Sequence, residues 1–303
     1  MDIAVLSDIH GNYIALERCL QEAFSRDIST FFFLGDYIGE LAYPERTMQK
    51  LYDLSENYQC YFIKGNKEEY WLKYRADGET GWKDQTSGSG ALIYAYNCLT
   101  DRDLEFFSKL EPTMEIMIDR MTEISICHGS PYKINEKLSP GEARTIEVME
   151  SVKAPIILCG HSHVQNKIVH KGKCVLNPGS VGVPIFSGGK TQFLILHVDD
   201  EVQDEGKSAL NSSSGQQEHW HEEFISLDYD IERVIRDMHE VKLYEHAPYW
   251  CVITESILRG GNITHGDILP RVMELCRQDT GDCIWPDIPE KYWAQGVAEM
   301  LGL

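Results

Sequence analysis

Basic side chains are scarce in this 303-residue chain, which has 28 Lys and Arg against 48 Asp and Glu and a formal net charge of -20. Proteins that bind a nucleic-acid backbone gain affinity by neutralising phosphates with Lys and Arg, so a long nucleic acid is a poor partner. The sequence also lacks an apolar run of about 18 residues and a charged-then-apolar leader. We therefore expect no membrane partner and no export.

Other sequence patterns are missing as well. The nine cysteines are spread singly with no Cys-x-x-Cys pair, and several, such as Cys127 and Cys159, lie inside apolar runs. This usage predicts reduced core thiols in a cytoplasmic protein. There is no internal repeat, no Gly-x-Gly-x-x-Gly fingerprint and no P-loop, so those nucleotide-binding motifs do not explain the chain.

What the chain does have is a pair of histidines directly after a short apolar run. Residues 154–159 read as a buried strand, and Gly160-His161-Ser162-His163 follows it. Side chains alternate along an extended backbone, so His161 and His163 point to the same side. Imidazole is the commonest nitrogen ligand of transition metals, which makes the pair a candidate for metal binding.

Four other apolar runs end in the same way. A structural role in turns explains any one Asp or Asn beside Gly, but it does not easily explain the whole series. The side chains that follow these runs are Asp8 and His10, Asp36, Asn66, and His128.

The order Asp-x-His, Gly-Asp, Gly-Asn, His-Gly and Gly-His-x-His resembles the calcineurin-like metallophosphoesterases over roughly residues 1 to 199. The small bacterial phosphodiesterase branch is the most similar, and similarity to phosphodiesterases that split dinucleoside tetraphosphates asymmetrically extends into the tail. The resemblance implies two divalent transition-metal ions, and Mn, Fe, Zn or Co suit such mixed ligands. It implies that one ion is held by Asp8, His10 and His163, the other by Asn66, His128 and His161, and that Asp36 bridges both.

The chain departs from this family directly after Asn66. Many members have a His there as the acid that protonates the leaving group, whereas this sequence has Lys67. A Lys with a pKa near ~10.4 is a reluctant acid at pH 7, although nearby cations can depress that value. Asn66 and Lys67 are therefore candidate catalytic residues, and a solvent-facing Lys67 is the alternative.

The remaining sequence predicts a cap, a second sheet and a tail. Residues 66 to 110 are mainly helical and rich in aromatics, which form either a nucleobase-stacking cap or ordinary packing: Tyr70, Trp71, Tyr74 and Trp82. From Gly160 onward the pattern predicts a second sheet of antiparallel strands, interrupted by a mobile polar loop at about 199–219. His219 and His221 share a strand face there, where a solvated pair is favoured over a metal site.

The tail contains apolar and aromatic residues, including Trp250 and Trp293, that must be buried on the chain's own core or on a neighbouring subunit. We expect a phosphoesterase domain at 1–243 and a helical C-terminal extension at 244–303, through which a homo-oligomer could form. The predicted fold is a four-layer α/β/β/α sandwich of two mixed sheets.

The predicted function is metal-dependent hydrolysis of phosphodiester or phosphoanhydride bonds in small, nucleotide-like substrates, with a metal-bridging hydroxide as the nucleophile. The alternative is an interaction scaffold that keeps this fold without catalysis.

Overall fold

The computed structural model describes residues 1–118, 123–198 and 219–303. Its strands are β1 (Asp2–Leu6), β2 (Thr30–Phe33), β3 (Gln59–Phe62), β4 (Thr113–Met117), β5 (Glu123–Cys127), β6 (Ile156–Leu158), β7 (Asn166–His170), β8 (Lys173–Asn177), β9 (Thr191–Val198) and β10 (Trp220–Leu227). Its helices are α1 (Tyr13–Ser25), α2 (Pro44–Asn57), α3 (Asn66–Ala76), α4 (Gly90–Cys98), α5 (Asp101–Lys109), α6 (Ala143–Ser151), α7 (Ile231–Glu240), α8 (Leu243–His246), α9 (Pro248–Leu258), α10 (His265–Thr280) and α11 (Glu290–Leu301).

Two mixed five-stranded sheets form the centre of the molecule, with strand orders β10-β9-β1-β2-β3 and β4-β5-β6-β8-β7. The alternation of side chains along β1 explains how the sheets stack. Ile3 and Val5 belong to the apolar cluster between the two sheets, whereas Ala4 and Leu6 face the helices on the other side of the first sheet. α6 covers the outer face of the second sheet. The predicted four-layer α/β/β/α sandwich is confirmed.

The strands after Gly160 do not form a sheet of their own, and this prediction was wrong. β7 and β8 pair antiparallel, but β8 also pairs parallel with β6 in the second sheet. β9 pairs antiparallel with β1, so β9 and β10 extend the first sheet. Period-2 patterning identifies a strand and its buried face, but it does not identify the partner strand. Most of the predicted loop at 199–219 lies outside the described residues.

The C-terminal helices pack on the N-terminal part of the chain. One apolar cluster joins Leu41, Ala91 and Val183 to tail residues such as Ile257, and Trp293 is fully buried in it. The apolar residues of the tail are therefore buried within the same chain. The sequence alone did not decide between this packing and packing on a neighbouring subunit. The boundary at residue 243 stays a prediction. None of the described helices combines the length and apolar character needed to cross a bilayer.

Candidate metal centre

The seven side chains predicted as ligands meet at one edge of the sandwich. They follow the carboxyl ends of β1, β2 and β3 in the first sheet and of β5 and β6 in the second, where open α/β sheets generally place ligand sites. Asp8 and His128 are 0% exposed, and Asp36 is 2% exposed. The fold thus gathers, in a largely buried place, residues that are up to about half the chain apart.

The backbone at this edge is held in an unusual conformation. Five of the seven candidates have left-handed φ angles: Asp8 (54°), His10 (50°), Asp36 (53°), His161 (61°) and His163 (59°). Residues other than glycine seldom adopt this region, and such strain typically persists where the surrounding structure holds it for a functional reason. The sharp turns explain how strand ends can aim adjacent side chains into one small space.

One glycine makes the close approach of two of these loops feasible. A Cβ built on Gly65 would lie 2.3 Å from the backbone nitrogen of Asp36, a distance that no side chain tolerates. The loop that carries Asn66 can therefore contact the loop that carries Asp36 only because position 65 has no side chain.

Asp8 has one satisfied carboxylate oxygen and one without a hydrogen-bond donor. Its Oδ2 accepts hydrogen bonds from Ser7 Oγ at 2.6 Å and from the backbone N–H of His161 at 3.0 Å. Its Oδ1 is buried without a hydrogen-bond partner. That atom lies 3.1 Å from His163 Nε2 and 3.8 Å from His10 Nε2.

Two of the histidine rings are held through their Nδ1 atoms. His163 Nδ1 donates to the carbonyl oxygen of Val183, and His128 Nδ1 donates to that of Leu34, both at 2.7 Å. Each Nε2 is thus left facing the other candidate ligands: His163 Nε2 lies 3.1 Å from both Asp8 Oδ1 and His10 Nε2, and His128 Nε2 lies 3.5 Å from Asp36 Oδ1. When the ring is neutral, this Nε2 carries a lone pair that can bind a metal ion. A buried carboxylate oxygen that faces ring lone pairs fits a bound cation, so the donor set suits a metal ion.

The candidate ligand atoms of the described His, Cys, Asp and Glu residues form two overlapping groups. Asp8, His10 and His163 make one group, and Asp8, Asp36 and His128 make the other. Asp8 belongs to both groups. Asp36 Oδ2 lies 3.6 Å from His10 Nε2, and Asp36 Oδ1 lies 3.5 Å from His128 Nε2. The bridging role of Asp36 stays a prediction.

The two remaining candidates lie beside His128. Asn66 Oδ1 is 3.1 Å from His128 Nε2, and the ring centroid of His161 is 5.2 Å from that of His128. His161 belongs to neither group above, so its ligand role stays a prediction.

Electrostatics at this edge favour positive charge. Burial lowers the pKa of His10, but Asp8, Glu40 and Asp36 outweigh burial and raise that pKa to about 9. Burial raises the pKa of the Asp8 carboxyl, yet His163 and His128 hold that pKa well below its ordinary value. His161 is different, because burial and the neighbouring His128 lower its pKa to about 4. The carboxylates thus stabilise a positive charge beside them, which a proton on His10 supplies in the absence of a metal ion.

Glu68 positions two of the ligand loops, and the sequence analysis missed it. Its fully buried carboxylate accepts three backbone hydrogen bonds, from Gly65 at 2.7 Å and from Asp36 and Tyr37 at 2.9 Å each. Burial, reinforced by the negative charge of Asp36, raises the pKa of Glu68 to about 7. The signal in the sequence was its position as the third residue of α3, where Glu commonly caps a helix start.

Lys67 does not face open solvent. Its side chain is 12% exposed, its ammonium group is paired with Glu40, and its backbone N–H donates to Asp36 Oδ1 at 2.8 Å. Burial lowers the pKa of Lys67, but Glu40 and Asp36 outweigh it and raise the pKa above its ordinary value. The sequence analysis allowed for nearby cations that lower the pKa of Lys67. Among the side chains around its ammonium group, the carboxylates of Glu40 and Asp36 have the opposite effect.

Three residues of the C-terminal extension line the cavity over the candidate ligands, and no sequence pattern had indicated them. The cavity has a volume of about 180 Å³, and Trp250, Thr254 and His265 form part of its wall. The His265 ring stacks on Trp250 with centroids 3.9 Å apart, and burial lowers its pKa to about 4. The tail thus contributes a neutral imidazole and an indole to the site.

The predicted aromatic cap is partly ordinary packing. Trp71 is fully buried, and Tyr74 stacks on Trp82 with centroids 4.0 Å apart, so these three rings pack with one another. Tyr70 differs, since it is exposed and lines a cavity.

Of the second histidine pair, His221 is exposed and stacks on His197 near the first residues of β1, away from the candidate ligands. His219 is also exposed, and neither residue joins the metal groups found among the described residues.

The chain is similar to known proteins over much of its length. Residues 1–201 match the family model described as "Calcineurin-like phosphoesterase superfamily domain". An uncharacterized protein of Methanocaldococcus jannaschii is 27% identical over 226 residues, which cover 65% of this chain and 83% of that protein.

Two solved structures share the fold. A metallophosphoesterase from Sphaerobacter thermophilus is similar with a TM-score of 0.61 and 20% identity, covering 84% of this chain and 100% of the other. A hypothetical protein from Pyrococcus horikoshii gives a TM-score of 0.68 at 20% identity, covering 86% and 99% of the two chains.

Proposed function

Because the chain belongs to the calcineurin-like phosphoesterase superfamily, we propose that it hydrolyses phosphodiester or phosphoanhydride bonds in small, nucleotide-like substrates. The single observation that carries this proposal is the buried Oδ1 of Asp8, which has no hydrogen-bond donor and faces histidine Nε2 atoms. An arrangement of this kind is costly to bury unless a cation joins it.

In the proposed site Asp8, His10 and His163 would hold one divalent transition-metal ion. Asn66, His128 and His161 would hold a second, and Asp36 would serve both, as the family resemblance implies. When bound, such ions lower the pKa of water and neutralise phosphate oxygens. Mn, Fe, Zn and Co suit these mixed nitrogen and oxygen ligands.

The protein's own residues determine how a phosphate enters. Carbonyl oxygens of Leu34 and Val183 orient the rings of His128 and His163, so these ligands need no rearrangement before binding. Lys67, at the rim of the cavity, keeps its positive charge at neutral pH and attracts the phosphate. Glu40 holds that ammonium group in place and offsets part of its charge.

Lys67 is a poor proton donor in this environment, because its raised pKa makes loss of the proton unfavourable. The proposed substrates are therefore compounds whose leaving group departs readily as an anion. Phosphoanhydrides and activated diesters meet that condition, whereas alkyl phosphomonoesters do not.

The experiment is a substrate panel on the purified full chain supplied with Mn²⁺: a dinucleoside polyphosphate, an aryl phosphodiester and glycerol phosphate. We expect turnover of the first two and loss of that turnover in His128→Ala. His221→Ala is the matched control, since it removes an exposed imidazole far from the candidate ligands. A wild-type protein that binds Mn²⁺ but hydrolyses none of the panel would favour the scaffold alternative.

A further inference from the structure

A second cavity opens beside the candidate metal centre. Its volume is about 400 Å³, and it shares Glu40, Asn66, Lys67 and Trp250 with the smaller cavity over the ligands. That volume lies within the range of about 300–1,000 Å³ that is usual for small-molecule sites. A molecule with its phosphate at the metal centre would therefore direct its organic part into this space.

The walls of this second cavity are aromatic and come from separate parts of the chain. Tyr70 comes from α3, Trp250 from α9, and Trp285 from the segment before α11, while Leu92 and Leu269 add aliphatic surface. Lys67 brings its charge to the side shared with the metal centre. The side beside the metal centre thus carries the Lys67–Glu40 ion pair, and the rest of the lining is mainly aromatic and aliphatic.

At the rim of this cavity, Ser87 forms hydrogen bonds within the protein. The Ser87 hydroxyl donates to Glu290 at 2.7 Å and accepts from the Tyr249 backbone N–H at 3.0 Å. Glu290 also accepts from the Ser87 backbone N–H at 2.7 Å, so the cap is tied to the tail. These bonds hold the walls in place before any ligand binds.

Trp250 is also held in place by its neighbours. Its indole stacks on His265, and the rings of Trp250 and Trp293 meet edge to face at a centroid distance of 6.3 Å. Thr254 Oγ1 donates to the Trp250 carbonyl oxygen at 2.9 Å. A ring that is held in this way loses little conformational entropy when a second ring packs against it.

We propose that this second cavity binds the planar aromatic group of the substrate, a nucleobase, and that Trp250 and Trp285 of the C-terminal extension select nucleotides from other phosphate compounds. The proposal rests on the proposed function, because it takes the phosphate to lie at the metal centre. Aromatic side chains stack on every base, so the selection is for a base as such and has little preference among bases.

The test compares the binding of adenosine 5′-monophosphate and ribose 5-phosphate, which differ only in the base, to the Mn²⁺-loaded full chain by calorimetry. Both are alkyl phosphomonoesters, which the proposed function leaves intact during the titration. We expect the nucleotide to bind at least about tenfold more tightly, the usual scale of one stacked base. Trp285→Leu should reduce that ratio severalfold or more.

The matched control is Trp220→Leu, the same chemical change at the start of β10, next to the end of β1 that is remote from the ligands. It should keep the wild-type ratio. If Trp285→Leu fails to fold, Leu269→Trp provides the second route, because a larger side chain should fill the cavity and reduce the ratio while ribose 5-phosphate still binds.

The outcomes separate the two proposals. Equal affinities of the wild type for the two compounds, or a ratio that Trp285→Leu and Leu269→Trp both leave intact, would overturn the base site and leave the phosphate site standing. Failure of both compounds to bind would overturn the phosphate site and the base site together.

Discussion

Replacing Glu68 by Gln is the perturbation that best separates positioning of the ligands from ligation itself. Glu68 is not one of the candidate ligands, yet its carboxylate accepts hydrogen bonds from the backbone N–H groups of Gly65, Asp36 and Tyr37. Gln offers one acceptor oxygen and one NH₂ group. If the Gln oxygen keeps the hydrogen bonds from Gly65 and Asp36, the Gln NH₂ group faces the Tyr37 N–H. Both of these groups are donors, so the Tyr37 N–H loses its acceptor.

The magnitude follows from that count. One buried N–H loses its acceptor, which costs about 1–3 kcal/mol, and two charge-assisted bonds become ordinary ones. Removal of a carboxylate with a raised pKa offsets part of this cost, because the buried charge itself was unfavourable. We therefore expect a loss of about 1–3 kcal/mol in the free energy of unfolding.

The larger effect should be on metal affinity, since the loops that carry Asp36 and Asn66 lose their common anchor. Outer contacts of this kind are typically worth about 10–100-fold in metal affinity. Urea unfolding measures the stability, and calorimetric titration with Mn²⁺ measures the affinity. Glu69→Gln is the control, because it makes the same change at an exposed position of the same helical turn. A Glu68→Gln protein that binds Mn²⁺ within about twofold of wild type would refute the positioning role.

Four further predictions follow from the site and the tail. Asp36→Asn should sharply lower metal content and abolish hydrolysis, whereas His221→Ala should do neither; elemental analysis and turnover test this. Lys67→His should flatten the dependence of rate on leaving-group pKa under saturating Mn²⁺, and parallel plots for mutant and wild type would make Lys67 incidental. Deletion after Leu243 should expose apolar surface and lower solubility, so a truncated protein with an unchanged melting temperature would contradict the packing of the tail. Metal affinity should weaken as pH falls below about 9, because His10 must release its proton before it binds a metal; an affinity for Mn²⁺ that calorimetry finds constant between about pH 9 and pH 7 would contradict a ligand role for His10.

The layers of the fold were predictable because they rest on local patterns. The alternation of Ile3, Ala4 and Val5 assigns side chains to the two faces of a sheet without any knowledge of partners. The candidate ligands were predictable for a similar reason, since each follows its own strand, and parallel strands bring their carboxyl ends to one edge.

Long-range pairing was not predictable from such patterns. Nothing local to β8 and β9 indicates that one joins β6 and the other joins β1. The same limit hid His265 and Trp250, which reach the site only through the packing of α9 and α10 on the cap. Their contribution depends on contacts between residues that are about 200 positions apart, and helical periodicity carries no information on such contacts.

Metal stoichiometry measured together with hydrolysis tests the central claim most directly. The full chain is loaded with Mn²⁺, dialysed, analysed for bound metal and assayed with an aryl phosphodiester, next to Asp8→Asn and the control Glu69→Gln. The account predicts about two ions per chain and turnover in wild type and control, and loss of both in Asp8→Asn, whose carboxylate faces the histidine Nε2 atoms. Wild-type protein that retains no metal, or an Asp8→Asn protein that keeps its metal and its turnover, would contradict it.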